Sequence, residues 1–374
     1  MQQHSTYSTI SSDADPPYMN KNPIVRMSES NTEHMSYARR FYDAFIWRAQ
    51  ALWHLGFSPW PIPLAINNKR WEDALKLVNN LYGVEDPRPM GPLVELVGPI
   101  YSEDVNAGTL DPDLEQYLDA RQRVVYVAFG QFMMATSAET STRVLHMLLE
   151  NYEAGELDGF VWSAIRGTPL PEHITTSSGT HYYLNSTEFQ NIGRIVPWVS
   201  QKAILRHPSI ITFVTHGGAG SLYEAAYFGK RMLFTPFCGD QIYHALNFER
   251  KNAGLWFILE EADTNTMTTA LNQVLKDENG TMQQEARRLQ AIFQIHSQHA
   301  LARATDLVEE VAFTADSDGK LPHRRDIARN LSFFKRNNYD LYLGLLALIT
   351  AIVTLSYRVV VLVKEHLRIK KKVD

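Results

Sequence analysis

A single cysteine, Cys238, stands in the 374-residue chain. That excludes an internal disulfide framework and any zinc site built on thiolates. Excess positive charge is also missing: 36 Lys and Arg against 41 Asp and Glu give a net charge of −5. No electrostatic case for nucleic acid arises, and none is expected as a partner. The thirteen histidines contain no His-x-x-x-His spacing, so a histidine metal site has no starting point. A glycine-rich turn at 217–220 is followed by no Gly-Lys-Ser/Thr, which excludes a P-loop, and it is not a Gly-x-Gly-x-x-Gly dinucleotide turn. The first 24 residues, with Asp13 and Asp15, hold no apolar core of about 7–15 residues and do not read as a signal peptide.

What is present is ordinary globular material with one exception. The chain is 45% hydrophobic and 21% charged, enough for two domains and a sizeable core. The exception is Leu341–Val363, an apolar run of 23 residues broken only by Arg358. As a helix it would extend roughly 34 Å and cross a bilayer, with Arg358 reaching for the headgroups. Lys364, Arg368, Lys370, Lys371 and Lys372 follow it and favour a cytoplasmic tail, although Lys335 and Arg336 lie on the other flank. The terminal Lys371-Lys372-Val373-Asp374 resembles the dilysine signal of endoplasmic-reticulum membrane proteins; a plain basic flank reads the same way. Sequons at Asn185, Asn279 and Asn330 would fit a lumenal body. With no leader, the apolar run would instead anchor a cytosolic body after synthesis.

Between the ends, hydrophobic patterning divides the chain. Residues 1–33 form a polar, disordered start with Pro16-Pro17. Helical patterns span Ser36–Leu55 and Trp71–Tyr82, separated by the Pro-rich stretch Phe57–Pro63. A boundary falls between Gly98-Pro99 and Leu110. Short apolar runs then alternate with helical segments: strands at Val124–Phe129, Phe160–Trp162, Ile210–Thr215 and Met232–Pro236, and helices from a Thr136/Glu139 capping box to Asn151, then at Ser221–Phe228, Tyr243–Lys251, Met267–Lys276 and Met282–Phe313. This alternation implies an α/β fold with a parallel sheet covered on both faces and ligands at the carboxyl ends of its strands.

The candidate site lies in residues 194–241. The strand ending at Thr215 runs into His216-Gly217-Gly218-Ala219-Gly220-Ser221 and a helix. Glycines allow backbone amides to approach an anion, and a helix N-terminus carries about half a positive charge. Ser221 can cap that helix and donate to a phosphate. Trp198 offers an aromatic plate, Glu224 a carboxylate that can accept from two hydroxyls, and Asp240-Gln241 a mixed acceptor–donor pair. Each residue also has a structural reading: Trp198 as core, His216 as a strand-end histidine, Glu224 as a surface charge, and Asp240 as a helix cap. His207-Pro208 reads as structural. Within the segment no Asp-x-Asp pair is available to hold a divalent ion, and no metal is expected.

Trp198, Gln201, His207-Pro208, His216-Gly217-Gly218, Ser221, Glu224, Pro236 and Asp240-Gln241 stand in one register over 44 residues, and the segment closely resembles the donor-binding signature of UDP-glycosyltransferases. The resemblance covers about residues 34–374. It implies a GT-B-like Rossmann-type fold and inverting hexosyl transfer from a UDP-sugar to a hydroxyl of a small or lipophilic acceptor. It implies that Trp198 stacks on uracil and that Gln201 and Glu224 reach ribose or uracil. It places His216, Gly217, Gly218, Gly220 and Ser221 at the diphosphate, and Asp240 and Gln241 at the sugar. Gln131 stands where the family usually has Ser or Thr after a glycine, and could contact phosphate or acceptor. Gly229-Lys230-Arg231 replaces the family's Gly-Val-Pro.

On this reading residues 34–97 are the remnant of an acceptor half, 98–314 bind the donor, 315–340 link, 341–363 span the membrane and 364–374 form the basic tail. The family's catalytic base, a His held by an Asp, has no counterpart among His4, His34 and His54. Three outcomes stay open: a transferase, a membrane-anchored UDP-sugar-binding subunit whose partner chain supplies an acceptor half, or a truncated inactive homologue.

Overall fold

The computed structural model describes residues 35–46, 74–84, 90–101, 106, 108–131, 137–325, 327 and 331–373. The polar start, the Pro-rich stretch, Thr136 and three of the histidines just named (His4, His34 and His54) lie outside them. A short helix, α1 (Tyr37–Phe41), capped by Ser36, continues into a wider turn to Ile46. β1 (Lys76–Val78) and β2 (Val94–Leu96) pair in parallel.

The described end of the expected 71–82 helix is therefore extended. Its apolar residues alternate rather than recur every 3.6 positions: Val78 packs with Leu96, while Leu75 and Leu77 pack with Val97, Ala304 and Leu307 on the other side.

The main sheet has six strands: β3 (Val124–Ala128), β4 (Gly159–Ser163), β7 (Gly193–Val196), β8 (Ile210–Thr215), β9 (Arg231–Phe234) and β10 (Gly254–Trp256). A small antiparallel hairpin, β5 (His173–Thr175) and β6 (His181–Tyr183), is inserted between β4 and β7. The spatial order is β10-β9-β8-β3-β4-β7, all parallel. β3 is buried at every position, as expected of a strand covered on both faces.

The covering helices are α2 (Pro112–Asp119), α3 (Ala138–Glu153), α4 (Thr187–Ile192), α5 (Gln201–Arg206), α6 (Ala219–Tyr227), α7 (Asp240–Arg250), α8 (Thr264–Lys276) and α9 (Thr281–Thr314). Alternate β3 residues serve opposite faces. Val124, Tyr126 and Ala128 join a core with Leu118, Ile204, Leu222, Phe248 and Phe293, drawn from α2, α5, α6, α7 and α9. Val125 and Val127 join Val144, Leu148, Met267 and Leu271 from α3 and α8. Each such buried side chain contributes about 1.5–3 kcal/mol by leaving water.

Three helix starts differ from expectation, each for a local reason. Ser137 caps α3, accepting from Thr140 N at 3.1 Å, one residue beyond the expected Thr136. α6 begins at Ala219 with Gly218 as its cap, so Ser221 lies inside the first turn and caps nothing. α7 is capped by Gly239 at φ +62°, and Asp240 is its first residue. A final helix, α10 (Tyr339–Val373), carries a 26-residue apolar stretch, Tyr339–Lys364, whose most apolar window is unburied. It is long and apolar enough to cross a membrane.

The strand order decides where a ligand can sit. The chain steps outward from β3 to β4 and β7, then crosses back to β8 on the other side of β3. The crevice of a doubly wound sheet opens at this reversal, outside the carboxyl ends of the strands. Register places Ala128, Ser163, Val196, Thr215 and Phe234 abreast. The segments that follow them leave along one edge.

Candidate functional site

Every residue of the 194–241 signature except His207-Pro208 emerges at or beside this edge. Trp198 follows β7 and is 65% exposed, so the core-aromatic reading fails. His216, Gly217 and Gly218 join β8 to α6. Asp240 and Gln241 open α7 after β9. Gln131 is exposed beside Gly130 after β3.

His207 is set apart at the amino end of β8. There its ring bonds Ser209 Oγ at 2.8 Å and Asp119 Oδ1 at 3.2 Å, which fits a structural histidine.

The glycines also make room for a side chain. A Cβ at Gly130 would lie 2.9 Å from His216 Cε1, and one at Gly218 would lie 2.4 Å from His216 Nε2. The two residues clear a slot for the His216 imidazole at the switch point between β3 and β8. Gly217 is required for its backbone, with φ +82°. Gly220 faces open space.

Burial pushes the His216 pKa down to about 4, partly opposed by Asp240. At neutral pH the ring is uncharged, and it can serve an anion by one N–H donor rather than as a cation.

Gln201, Ser221 and Glu224 form one hydrogen-bonded unit across α5 and α6. Gln201 Nε2 donates to Glu224 Oε2 at 2.7 Å and to Ser221 Oγ at 3.1 Å. Ser221 thereby keeps its own hydrogen to donate. Burial raises the Glu224 pKa, while the Gln201 bond and nearby Lys202 pull against it. Gln241 uses its carbonyl end to brace the preceding loop, accepting from Phe237 N at 2.8 Å and Cys238 N at 3.2 Å. Its NH₂ is the end left for a ligand. Phe129, Trp162 and Phe237 pack edge to face beneath that loop.

A ribose held by the Glu224 carboxylate gives a pH dependence with a definite sign. Protonation removes acceptor capacity, and a raised pKa brings it on above the ordinary carboxylate range. If uridine binds there, its affinity should therefore fall as the pH is lowered from neutral toward the ordinary carboxylate range. Uridine carries no phosphate whose own titration would intrude. Glu224→Gln should bind weakly and without that slope. A wild-type affinity that is flat over the range would remove Glu224 from the ribose.

Sequence reasoning missed two features. His244 of α7 is fully buried behind the Gly217 turn; only its place four residues after Asp240 hinted at a shared helix face. The Gly229-Lys230-Arg231 segment supplies two buried cations. Lys230 Nζ donates to the carbonyls of His207 and Ile210 at 3.0 and 2.7 Å, and desolvation lowers its pKa to about 8. Arg231 Nη1 donates to Val274 and Leu275 at 2.7 and 3.0 Å, in the last turn of α8.

Among the described residues no group of three His, Cys, Asp or Glu could hold a metal. Asp111 of the Asp111-Pro112-Asp113 triplet caps α2, and the Asp316-Ser317-Asp318 triplet closes a surface turn.

A parallel sheet carries a histidine in its switch-point crevice, with an exposed tryptophan and a half-buried carboxylate at the same edge, which defines an α/β domain with a candidate ligand crevice. The family model described as UDP-glucoronosyl and UDP-glucosyl transferase matches residues 62–373, and the chain belongs to that family. UDP-glycosyltransferase 1 of Phaeomoniella chlamydospora is 31% identical over 310 residues, covering 80% of this chain and 60% of that protein. Mouse UDP-glucuronosyltransferase 3A1 is 26% identical over 301 residues, covering 80% and 53%. The solved UDP-glucose: anthocyanidin 3-O-glucosyltransferase in complex with UDP is similar at 22% identity with a TM-score of 0.45, over 63% of this chain and 53% of that one. The chain spans 45% to 60% of the length of the fungal relatives it matches.

Proposed function

We propose that this chain binds a UDP-sugar at the switch-point crevice and transfers its hexosyl group to a hydroxyl of a lipophilic acceptor, with inversion. The observation that carries the reading is the meeting of Trp198, the Gln201–Ser221–Glu224 unit, His216 and Asp240-Gln241 at one sheet edge. Trp198 stacks on uracil and Glu224 accepts from ribose. The Gly217–Gly218 turn, the α6 N-terminus, Ser221 and neutral His216 receive the diphosphate. Asp240 and the Gln241 amide meet the sugar, and Gln131 borders phosphate or acceptor.

In the reaction the acceptor oxygen attacks the anomeric carbon as that carbon's bond to the β-phosphate oxygen breaks. UDP leaves with the electron pair, and a general base takes the acceptor's proton. Hydrogen bonds at the α6 N-terminus stabilise the charge developing on UDP without a metal. No described residue is assigned as that base: the His207–Asp119 pair lies at the far edge of the sheet.

The same donor-site geometry also serves a second reading, a membrane-anchored UDP-sugar-binding subunit whose partner chain carries the acceptor half. In both readings α10 anchors the chain as a single pass in the endoplasmic reticulum.

Microsomes holding the full chain, given UDP-[¹⁴C]glucose, UDP-glucuronate or UDP-galactose with a sterol acceptor, decide between them. Transfer that His216→Ala abolishes supports the transferase. Saturable UDP binding with no transfer to any acceptor supports the subunit. Absence of UDP binding at millimolar concentration sinks both.

A further inference from the structure

We propose that His244 is a positioning residue for the donor diphosphate, holding the Gly217–Gly218 peptide so that the Gly218 N–H faces the crevice. The inference rests on the donor-binding reading above and adds a residue to it that touches no ligand.

His244 is 0% exposed. Its Nδ1 lies 2.7 Å from the Gly217 carbonyl oxygen. A carbonyl can only accept, so Nδ1 carries the proton and Nε2 is left with a lone pair. That Nε2 is buried and has no hydrogen-bond partner. An unpartnered buried acceptor opposes folding, and a leucine or phenylalanine would fill the space without it. The imidazole is thus an unfavourable choice for packing alone. What it does supply is the bond to Gly217.

Peptide geometry turns that bond into an effect on the site. The carbonyl of Gly217 and the N–H of Gly218 belong to one planar trans unit and point in opposite directions. Tying the carbonyl back to α7 turns the Gly218 N–H away from α7, toward the mouth of the crevice. Gly218 is the cap of α6, where amide groups lack partners within the helix. Gly217 itself holds φ +82°, and a Cβ there would meet Phe234 Cδ1 at 3.1 Å and Gln241 O at 3.3 Å. The turn is thus closed in from β9 and α7, and His244 is the side chain that sets the orientation of its peptide.

The same helix begins with Asp240 and Gln241. Asp240 lies close enough to act electrostatically on both His216 and His244. Any displacement of α7 on sugar binding would reach the diphosphate turn through His244.

The test compares a ligand that has phosphates with one that lacks them. The full chain in detergent is titrated with UDP and with uridine, as wild type, His244→Leu, His244→Phe and His244→Asn. The asparagine amide can occupy the place of Nδ1 and keep the donor. Loss of the single hydrogen bond should weaken UDP by about tenfold in the Leu and Phe variants while uridine changes by no more than about twofold. Their melting temperatures should fall by no more than a few degrees, since the Gly217 carbonyl loses its partner but the buried Nε2 lone pair goes with the ring. Asn should restore UDP affinity to within about threefold of wild type.

Equal weakening of UDP and uridine, unchanged UDP affinity, or failure of both apolar variants to fold would each overturn the proposal and leave His244 a packing residue. If wild type itself does not bind UDP, the donor-site reading falls first and this inference falls with it.

Discussion

Trp198→Ala should weaken UDP binding by about 10- to 100-fold, the loss expected when one base gives up an aromatic stacking partner. The same substitution should leave the melting temperature within about 2 °C, because a surface change of this kind is worth only about 0.5 kcal/mol to folding. The contrast is the point. An indole that is 65% exposed, on a segment leaving the end of a buried sheet, covers no core. Calorimetric titration of UDP beside a thermal melt of the same samples checks it. A Trp198→Ala protein that melts much lower but binds the same UDP would show that the ring is structural and that uracil stacks elsewhere. Trp198→Phe should keep most of the affinity, since a flat ring rather than the indole N–H is what a base needs.

Arg231→Met should destabilise the body by about 2–4 kcal/mol and lower its melting temperature by about 5–15 °C, with UDP affinity unchanged at low temperature. The guanidinium spans two carbonyls in the last turn of α8, where helix carbonyls lack internal partners and cations are favoured. Methionine fills similar space and leaves both carbonyls unbonded in a buried place. Arg231→Lys should fall between, because both bonds come from the one nitrogen Nη1 and a shorter side chain carries an ammonium less well placed to reach both carbonyls. Arg231 begins β9, at the edge opposite the crevice, so binding should be spared. Urea unfolding followed by circular dichroism would read the loss. A methionine variant as stable as wild type would mean that removing a buried cation offsets the two lost bonds.

The two cases show where sequence reading reaches its limit. The strands Ile210–Thr215 and Val124–Phe129 were legible because an apolar run ending in glycine has few alternatives, and the order of site residues after each strand followed from that. The segment around Leu75–Val78 misled because three apolar residues in four positions fit a helix face as well as a two-sided strand; only its partners, Leu96 on one side and Ala304 and Leu307 on the other, decide. Lys230 and Arg231 read as the loss of a proline because the carbonyls they hold are 20 to 44 residues away in sequence. The glycines read as phosphate turns, and that reading could not show that Gly130 and Gly218 also leave room for a ring that the fold brings between them. His244 gave only its spacing from Asp240, since burial and the direction of one ring nitrogen belong to tertiary structure.

The Gln201 bridge carries a consequence for how such a protein could change its substrate. Trp198 precedes α5, Gln201 starts it, and Gln201 holds Glu224 of α6. Under the proposed roles, uracil and ribose are read by one mechanically joined unit, in which the Gln201 bond ties the β7–β8 crossover to α6 beyond β8. The sugar is read by a separate element, the loop after β9, which is braced by its own Gln241. On those roles nucleoside recognition and sugar recognition rest on different elements, joined only through the diphosphate turn. Substitutions around Phe237, Cys238 and Asp240 can explore new sugars while the uridine grip stays intact, so descendants of this scaffold could diversify in donor without passing through a form that has lost its nucleotide.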